Sequence, residues 1–264
     1  MKRRQNLLFL SATLTSFLLA LGLQLTNLMP AYSQRGSLLV SAAASLKDVL
    51  EEIKPLFQKA YPGVNITFNF GASGALLQQI EQGAPVDVFI SAAKRQMDTL
   101  DQKGELVPGT RGNLANNKLA LIVPKESRAV NSFNSLTNPE IKRIAIGEPR
   151  SVPAGQYAEQ VLQKLNLLNQ VKPKLMYANN VRQVLAAVES GNVDAGMVYV
   201  TDARISDKVR VVAIADDNFH SPIVYPMAVL KSSKNQDAAR AFLKFLSRNQ
   251  AREVLRKYGF IVPR

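Results

Sequence analysis

The chain has 264 residues, 47% of them hydrophobic, and 33 Lys and Arg against 20 Asp and Glu give a formal charge of +13. That is enough apolar material for one large or two modest cored domains. The absence of cysteine excludes disulfides, thiol chemistry and lipid attachment at a cysteine, while the absence of tryptophan and the scatter of the cations argue against a nucleic-acid surface.

The first residues read as an export leader. Lys2-Arg3-Arg4 precedes an uncharged apolar run over residues 7–25, and Ala31 and Ser33 place small residues where an export peptidase reads them. The expectation is a signal peptide over residues 1–33, cleaved near Ser33, with a periplasmic mature chain from Gln34. The rival reading is an uncleaved anchor, since the run nearly spans a bilayer. Cleavage removes three cations and no acids, lowering the charge from +13 to +10, most of it a solvated surface.

The apolar run Leu38-Leu39-Val40 ends in Ala42-Ala43-Ala44, and Ser45 then opens an amphipathic helix to about residue 60. Leu46, Val49, Leu50, Ile53 and Phe57 recur at helical spacing, and Pro55 is expected to kink the helix. Residues 64–70 alternate as a strand, Gly71-Ala72-Ser73-Gly74 breaks it, and residues 75–82 form a short helix. A strand at 86–90 and a helix around Met97 and Leu100 follow. A second series begins with a strand at 119–123, a polar loop, and a strand at 144–146. The loop Pro153-Ala154-Gly155 opens a helix carrying Tyr157, Val161 and Leu162. Then come a strand at 175–177, Asn179-Asn180, a helix through Val181, Val184, Leu185 and Val188, and strands at 195–200, 208–215 and 222–230. Helices at about 236–247 and 250–258 close the chain. Strands alternating with helices predict an α/β fold of βαβ units and mainly parallel sheets. The chain crosses between two blocks near residues 116–118 and 217–222. Residues 34–117 and 222–264 therefore form lobe 1, and residues 118–221 form lobe 2, with a cleft between them.

One unit recurs: a strand, a small-residue loop, a helix N-terminus. It stands at Ala44-Ser45, Ala72-Ser73-Gly74, Pro153-Ala154-Gly155 and Asn180-Val181. Loops at the carboxyl ends of strands line the ligand crevice of an open α/β sheet. Each helix N-terminus offers free N–H donors and about half a positive charge, so four aimed at one point sum to about +2, a match for a dianion. Tyr199, ending a predicted strand, adds a phenolic donor.

These residues resemble the periplasmic molybdate-binding proteins of ATP-driven molybdate importers. The likeness spans the mature chain and runs through Ala42-Ala43-Ala44-Ser45-Leu46, residues 83–92, Val152-Pro153-Ala154-Gly155-Gln156-Tyr157-Ala158, Asn180-Val181-Arg182, residues 196–203 and Tyr258-Gly259-Phe260. The resemblance implies a two-lobed periplasmic-binding-protein fold of type II, with mixed, mainly parallel sheets, a hinge and an interlobe cleft. It also implies a monomer that carries no cofactor, is not an enzyme, and hands molybdate or tungstate to an inner-membrane ABC permease. By the same resemblance Ser45 and Ser73 supply hydroxyl and backbone donors, Ala154 and Val181 supply backbone N–H groups, and Tyr199 supplies its hydroxyl. The chain departs from the commoner pattern in its serine-poor Gly71-Ala72-Ser73-Gly74 and in Arg150, which is expected to add attraction at the cleft rim.

Three other readings stand beside this one. The same fold takes another small anion such as sulfate, excluded only by cavity size. An organic carboxylate would need an arginine, and only Arg150 or Arg182 serves. A secreted serine hydrolase would use a loop serine, although no Gly-x-Ser-x-Gly elbow is present. His220, the single histidine, reads as a surface residue, Asp87 and Asp194 as structural, Asp202 as a turn cap, and Arg182 as a positional contact. No Cys/His cluster has metal-ligand spacing.

Overall fold

The computed structural model describes residues 36–263, so the leader assigned to residues 1–33 and its cleavage near Ser33 lie outside the described residues. β1 (Gly36–Ala43) passes through a 3-10 turn, Ala44–Leu46, into α1 (Lys47–Ala60). The turn corrects the expected helix start. Ser45 lies inside it, makes no capping bond, and is buried. α1 buries Val49, Leu50, Ile53 and Phe57 and runs on past Pro55, which lies on the exposed face. The Phe57 ring meets Phe242 and Phe245 edge-on at centroid distances of 5.1 and 5.4 Å, pairs that add roughly 0.5–1.5 kcal/mol each beyond burial.

β2 (Val64–Gly71), α2 (Ser73–Glu81), β3 (Val88–Ile90), α3 (Lys94–Gln102) and β4 (Gly112–Asn116) complete the first series. β4 escapes the sequence pattern. Gly-Asn-Leu-Ala-Asn has no β-branched residue, and its pairing partner makes it a strand. The second series runs β5 (Leu119–Pro124), β6 (Ile144–Gly147), α4 (Pro153–Lys164), α5 (Leu168–Val171), β7 (Leu175–Ala178), α6 (Val181–Glu189), β8 (Ala195–Tyr199), α7 (Val200–Arg204) and β9 (Val209–Ile214). β10 (Val224–Val229), α8 (Gln236–Leu246) and α9 (Asn249–Lys257) finish the chain.

The strands form two five-stranded sheets, ordered β2-β1-β3-β10-β4 and β7-β6-β8-β5-β9. In each sheet one side is parallel and the other antiparallel. β1 pairs parallel with β2 and β3, whereas β10 runs against β3 and β4. β6 pairs parallel with β7 and β8, whereas β5 runs against β8 and β9. The fold is thus a two-lobed α/β architecture of mixed sheets, and parallel pairing does not dominate. The returning strand brings chain from both ends into the first sheet. Two connections link the sheets, one between Asn116 and Leu119 and the other between Ile214 and Val224. The C-terminal tail lies on the first: Ile261 exchanges two backbone hydrogen bonds with Asn116, at 2.7 and 3.0 Å.

A candidate anion site between the sheets

Ser45 sits in the turn after β1, Ser73 is the first residue of α2, Ala154 the second of α4, Val181 the first of α6, and Tyr199 the last of β8. All five line one cavity of about 210 Å³ of empty space, together with Ala72, Ala92, Asn180 and other uncharged residues. No charged side chain lines it. Three strand ends come from each sheet, so the cavity lies where the two lobes meet.

The loops place helix starts, with their unpaired N–H groups, at the cavity wall. Asn180 accepts the Arg182 and Gln183 amides on its Oδ1 at 3.0 and 3.1 Å, and the first amide of α6, on Val181, has no partner inside the helix. Pro153 opens α4 with no donor to waste, so the next residue, Ala154, presents the first amide of that helix. Gly147 and Gly155 let β6 and α4 touch: a Cβ on Gly155 would lie 2.0 Å from the Gly147 oxygen, so only glycine fits.

Three hydroxyls also stand at the cavity wall, those of Ser45, Ser73 and Tyr199. Ser73 Oγ accepts the Ala92 amide at 2.9 Å, which frees its hydrogen. Tyr199 is buried, its hydroxyl has no hydrogen-bond partner among the described residues, and burial holds its pKa well above the ordinary value of 10. It is therefore a neutral phenol with a proton to give. Ser45 Oγ lies 3.0 Å from the hydroxyl of Tyr225, a residue that the sequence reading passed over as one apolar strand position among several. The register of β10 shifts between Tyr225 and Pro226, a bulge beside a proline that has no N–H to give the ladder.

Contacts across the cavity hold the two lobes together. The Gly74 amide donates to the Ser151 carbonyl at 2.9 Å, and a Cβ on Gly74 would lie 2.6 Å from that oxygen. Arg95 donates to the Arg150 carbonyl at 3.1 Å, and the Tyr157 hydroxyl donates to the Ala92 carbonyl at 3.4 Å. Arg182 pairs with Asp48 of α1 and with Asp202 of α7, each at 2.6 Å, and donates to the Ser45 carbonyl at 3.3 Å. Asp202 is fully buried, so desolvation lifts its carboxyl to about 6 against the opposing pull of Arg182.

Several expectations change. Asp202, in the first turn of α7 beside the Tyr199 backbone, is also a buried ionic partner of Arg182. His220 is buried against the edge of the Tyr157 ring at 5.7 Å, not at the surface. Arg150 turns to Glu148 at 3.1 Å and stays solvated, giving it no hold on the cavity. Asp87 is structural as expected, accepting the Leu39 amide and the Ser233 hydroxyl, and Asp194 accepts the Lys142 and Arg143 amides. Neither loop serine hydrogen-bonds His220, whose Nδ1 lies 2.8 Å from the Ser221 carbonyl.

Residues 38–261 match the family model described as bacterial extracellular solute-binding protein. A Bacillus subtilis protein described as a candidate substrate-binding lipoprotein of an ABC transporter is 43% identical over 250 residues, covering 94% of this chain and 95% of its own. The molybdate-binding protein of Haemophilus influenzae is 41% identical over 226 residues, covering 84% and 88%. The solved substrate-binding domain of a candidate molybdenum ABC transporter from Clostridium difficile is similar at 45% identity and a TM-score of 0.68, covering 87% of this chain and all of that one. The chain belongs to the bacterial extracellular solute-binding protein family.

Proposed function

We propose that this protein is an extracytoplasmic carrier that captures molybdate, and tungstate as well, in the cavity between its lobes and delivers it to an ABC permease. One observation supports the reading: an uncharged cavity is lined by Ser45, Ser73, Ala154, Val181 and Tyr199, whose hydroxyls and helix-start amides can serve as donors. A tetrahedral dianion satisfies such donors, and a protonated one does not, because its own O–H meets a donor where an acceptor is needed. About seven charge-assisted bonds at ~1.5–3 kcal/mol each, less an association cost of ~4–15 kcal/mol, leave micromolar to nanomolar affinity.

The lobes are residues 34–117 with 222–264, and residues 118–221, hinged where the chain crosses between sheets; closure is the state the permease reads. The protein acts as a monomer, is exported by a leader cleaved near Ser33, and is a carrier and not an enzyme. The arginines that a carboxylate ligand would need are engaged elsewhere, Arg150 with Glu148 and Arg182 with Asp48 and Asp202. Isothermal titration of the mature protein tests the reading. Tight binding of molybdate and tungstate with a weak response to sulfate is expected, and equal sulfate affinity overturns the selectivity.

A further inference from the structure

Behind the cavity, a chain of hydrogen bonds ends on Ser45. Asn117 lies in the connection between the sheets, between β4 and β5. Its Oδ1 accepts the Lys118 amide at 2.9 Å, which fixes the orientation of the side-chain amide and leaves Nδ2 as the donor. Nδ2 donates to the Tyr225 hydroxyl at 3.2 Å and to Thr201 Oγ1 at 2.8 Å. Tyr225 is fully buried, its pKa raised by desolvation, so it keeps its proton. Having accepted from Asn117, the Tyr225 hydroxyl has one hydrogen to place, and Ser45 Oγ lies 3.0 Å away. Ser45 then accepts, and its own hydrogen is left for the cavity that it lines.

The opposite polarity, with Ser45 donating to Tyr225, would turn the Ser45 hydrogen away from the cavity. A bound anion selects the first arrangement, because only that one gives it donors from both Ser45 and Tyr199. We infer that Tyr225, oriented by Asn117, is a positioning residue for anion capture: it touches no ligand, but it holds Ser45 as a one-way donor and ties that donor to the connection between the sheets. This deepens the oxyanion reading and rests on it.

The test is a double-mutant cycle by isothermal titration with molybdate, using Ser45→Ala, Tyr225→Phe and the pair, with thermal unfolding as a control. Phenylalanine keeps the ring contacts with Phe260 and Tyr199, at centroid distances of 5.4 and 5.8 Å. Tyr225→Phe should weaken molybdate binding about tenfold, a hydrogen bond's worth to a charged group, and should cost little or nothing further in the Ser45→Ala background. Wild-type affinity in Tyr225→Phe, or a full additional loss in the double variant, overturns the relay. Should Tyr225→Phe not fold, wild-type protein labelled at tyrosine Cζ supplies the second measurement. Molybdate should shift the Tyr225 resonance, and the shift should vanish in Ser45→Ala. A shift that persists there, or none in the wild type, overturns the relay. Wild-type protein that takes neither molybdate nor tungstate overturns the proposed function and the relay with it, an outcome distinct from failure of the relay alone.

Discussion

Arg182 Nη2 lies 2.6 Å from Asp48 Oδ2, so the second residue of α6, packed on the second sheet, is ion-paired to the first helix of the other lobe. The pair spans the cleft one residue from the Val181 amide. Asp48 is part-exposed, which keeps the static value of the contact small. Its importance lies in being made only when the lobes are together.

Asp48→Ala should therefore separate closure from stability. Unfolding free energy in denaturant should stay within about 1 kcal/mol of wild type, as for exposed pairs generally. Molybdate affinity should fall roughly three- to tenfold as the closed form loses its latch. Unchanged affinity refutes the latch. Arg182→Ala is different in kind, because it also strands the buried Asp202 carboxylate, and a loss of about 3–5 kcal/mol of stability is expected from leaving that charge unpaired.

Asp202 gives the site a pH dependence of defined sign. Its carboxyl, raised to about 6, acts electrostatically on Tyr199 and Tyr225 beside the cavity, with Arg182 and Asp48 as its charged neighbours. Protonation removes a negative charge that a bound dianion would otherwise meet. Affinity should therefore rise as pH falls from 8 to 5.5, by roughly three- to tenfold, and Asp202→Asn should flatten the profile. An affinity that falls across that window counts against the assignment. Stability follows the same sign: the fold holds this proton more tightly than the unfolded chain does. The group's contribution is complete below its ordinary 3.8 and is lost as pH climbs through about 6.

Gly74→Ala should block closure without unfolding the lobe. The added methyl falls 2.6 Å from the Ser151 oxygen and 2.7 Å from its Cα, both backbone atoms that cannot yield cheaply. Weaker molybdate binding by at least tenfold with a melting temperature within a few degrees of wild type is expected, since the clash exists only across the cleft. Small-angle scattering should show the variant remaining extended when molybdate is added.

Amide donors and hydroxyl donors should respond differently to substitution. Val181→Ala leaves the main chain intact and should bind nearly as wild type, whereas Val181→Pro removes the N–H and should abolish tight binding. Ser45→Ala and Ser73→Ala should each cost about 1–3 kcal/mol of binding free energy, the value of one hydrogen bond to a charged group. Titration of the four variants is the check, and Val181→Pro with unchanged affinity would rule out the amide assignment.

The cavity was legible because its loops announce themselves locally. Small residues at Ala44-Ser45, Ala72-Ser73-Gly74 and Pro153-Ala154-Gly155 follow apolar runs, and each run ends at the same edge of an α/β sheet. What lies one layer behind was not legible. Tyr225 in an apolar stretch, Asn117 in a polar dipeptide and Asp48 on a solvated helix face carry no local mark of their roles. Those roles arise from pairings 180, 108 and 134 positions apart in the chain. β4 stayed hidden for a related reason: its strand character is conferred by β10, more than a hundred residues later.

The place of β10 in the first sheet bears on how the molecule is made. Every strand of the second sheet lies in one stretch of chain, from Leu119 to Ile214, so that half is complete in itself once that stretch has emerged. The first sheet is synthesised earlier yet finished later. β3 and β4 wait with open hydrogen-bonding edges until residues 224–229 emerge to lie between them. The half begun first is thus the half that needs protection from aggregation longest, and chaperone dependence should concentrate on the N-terminal strands.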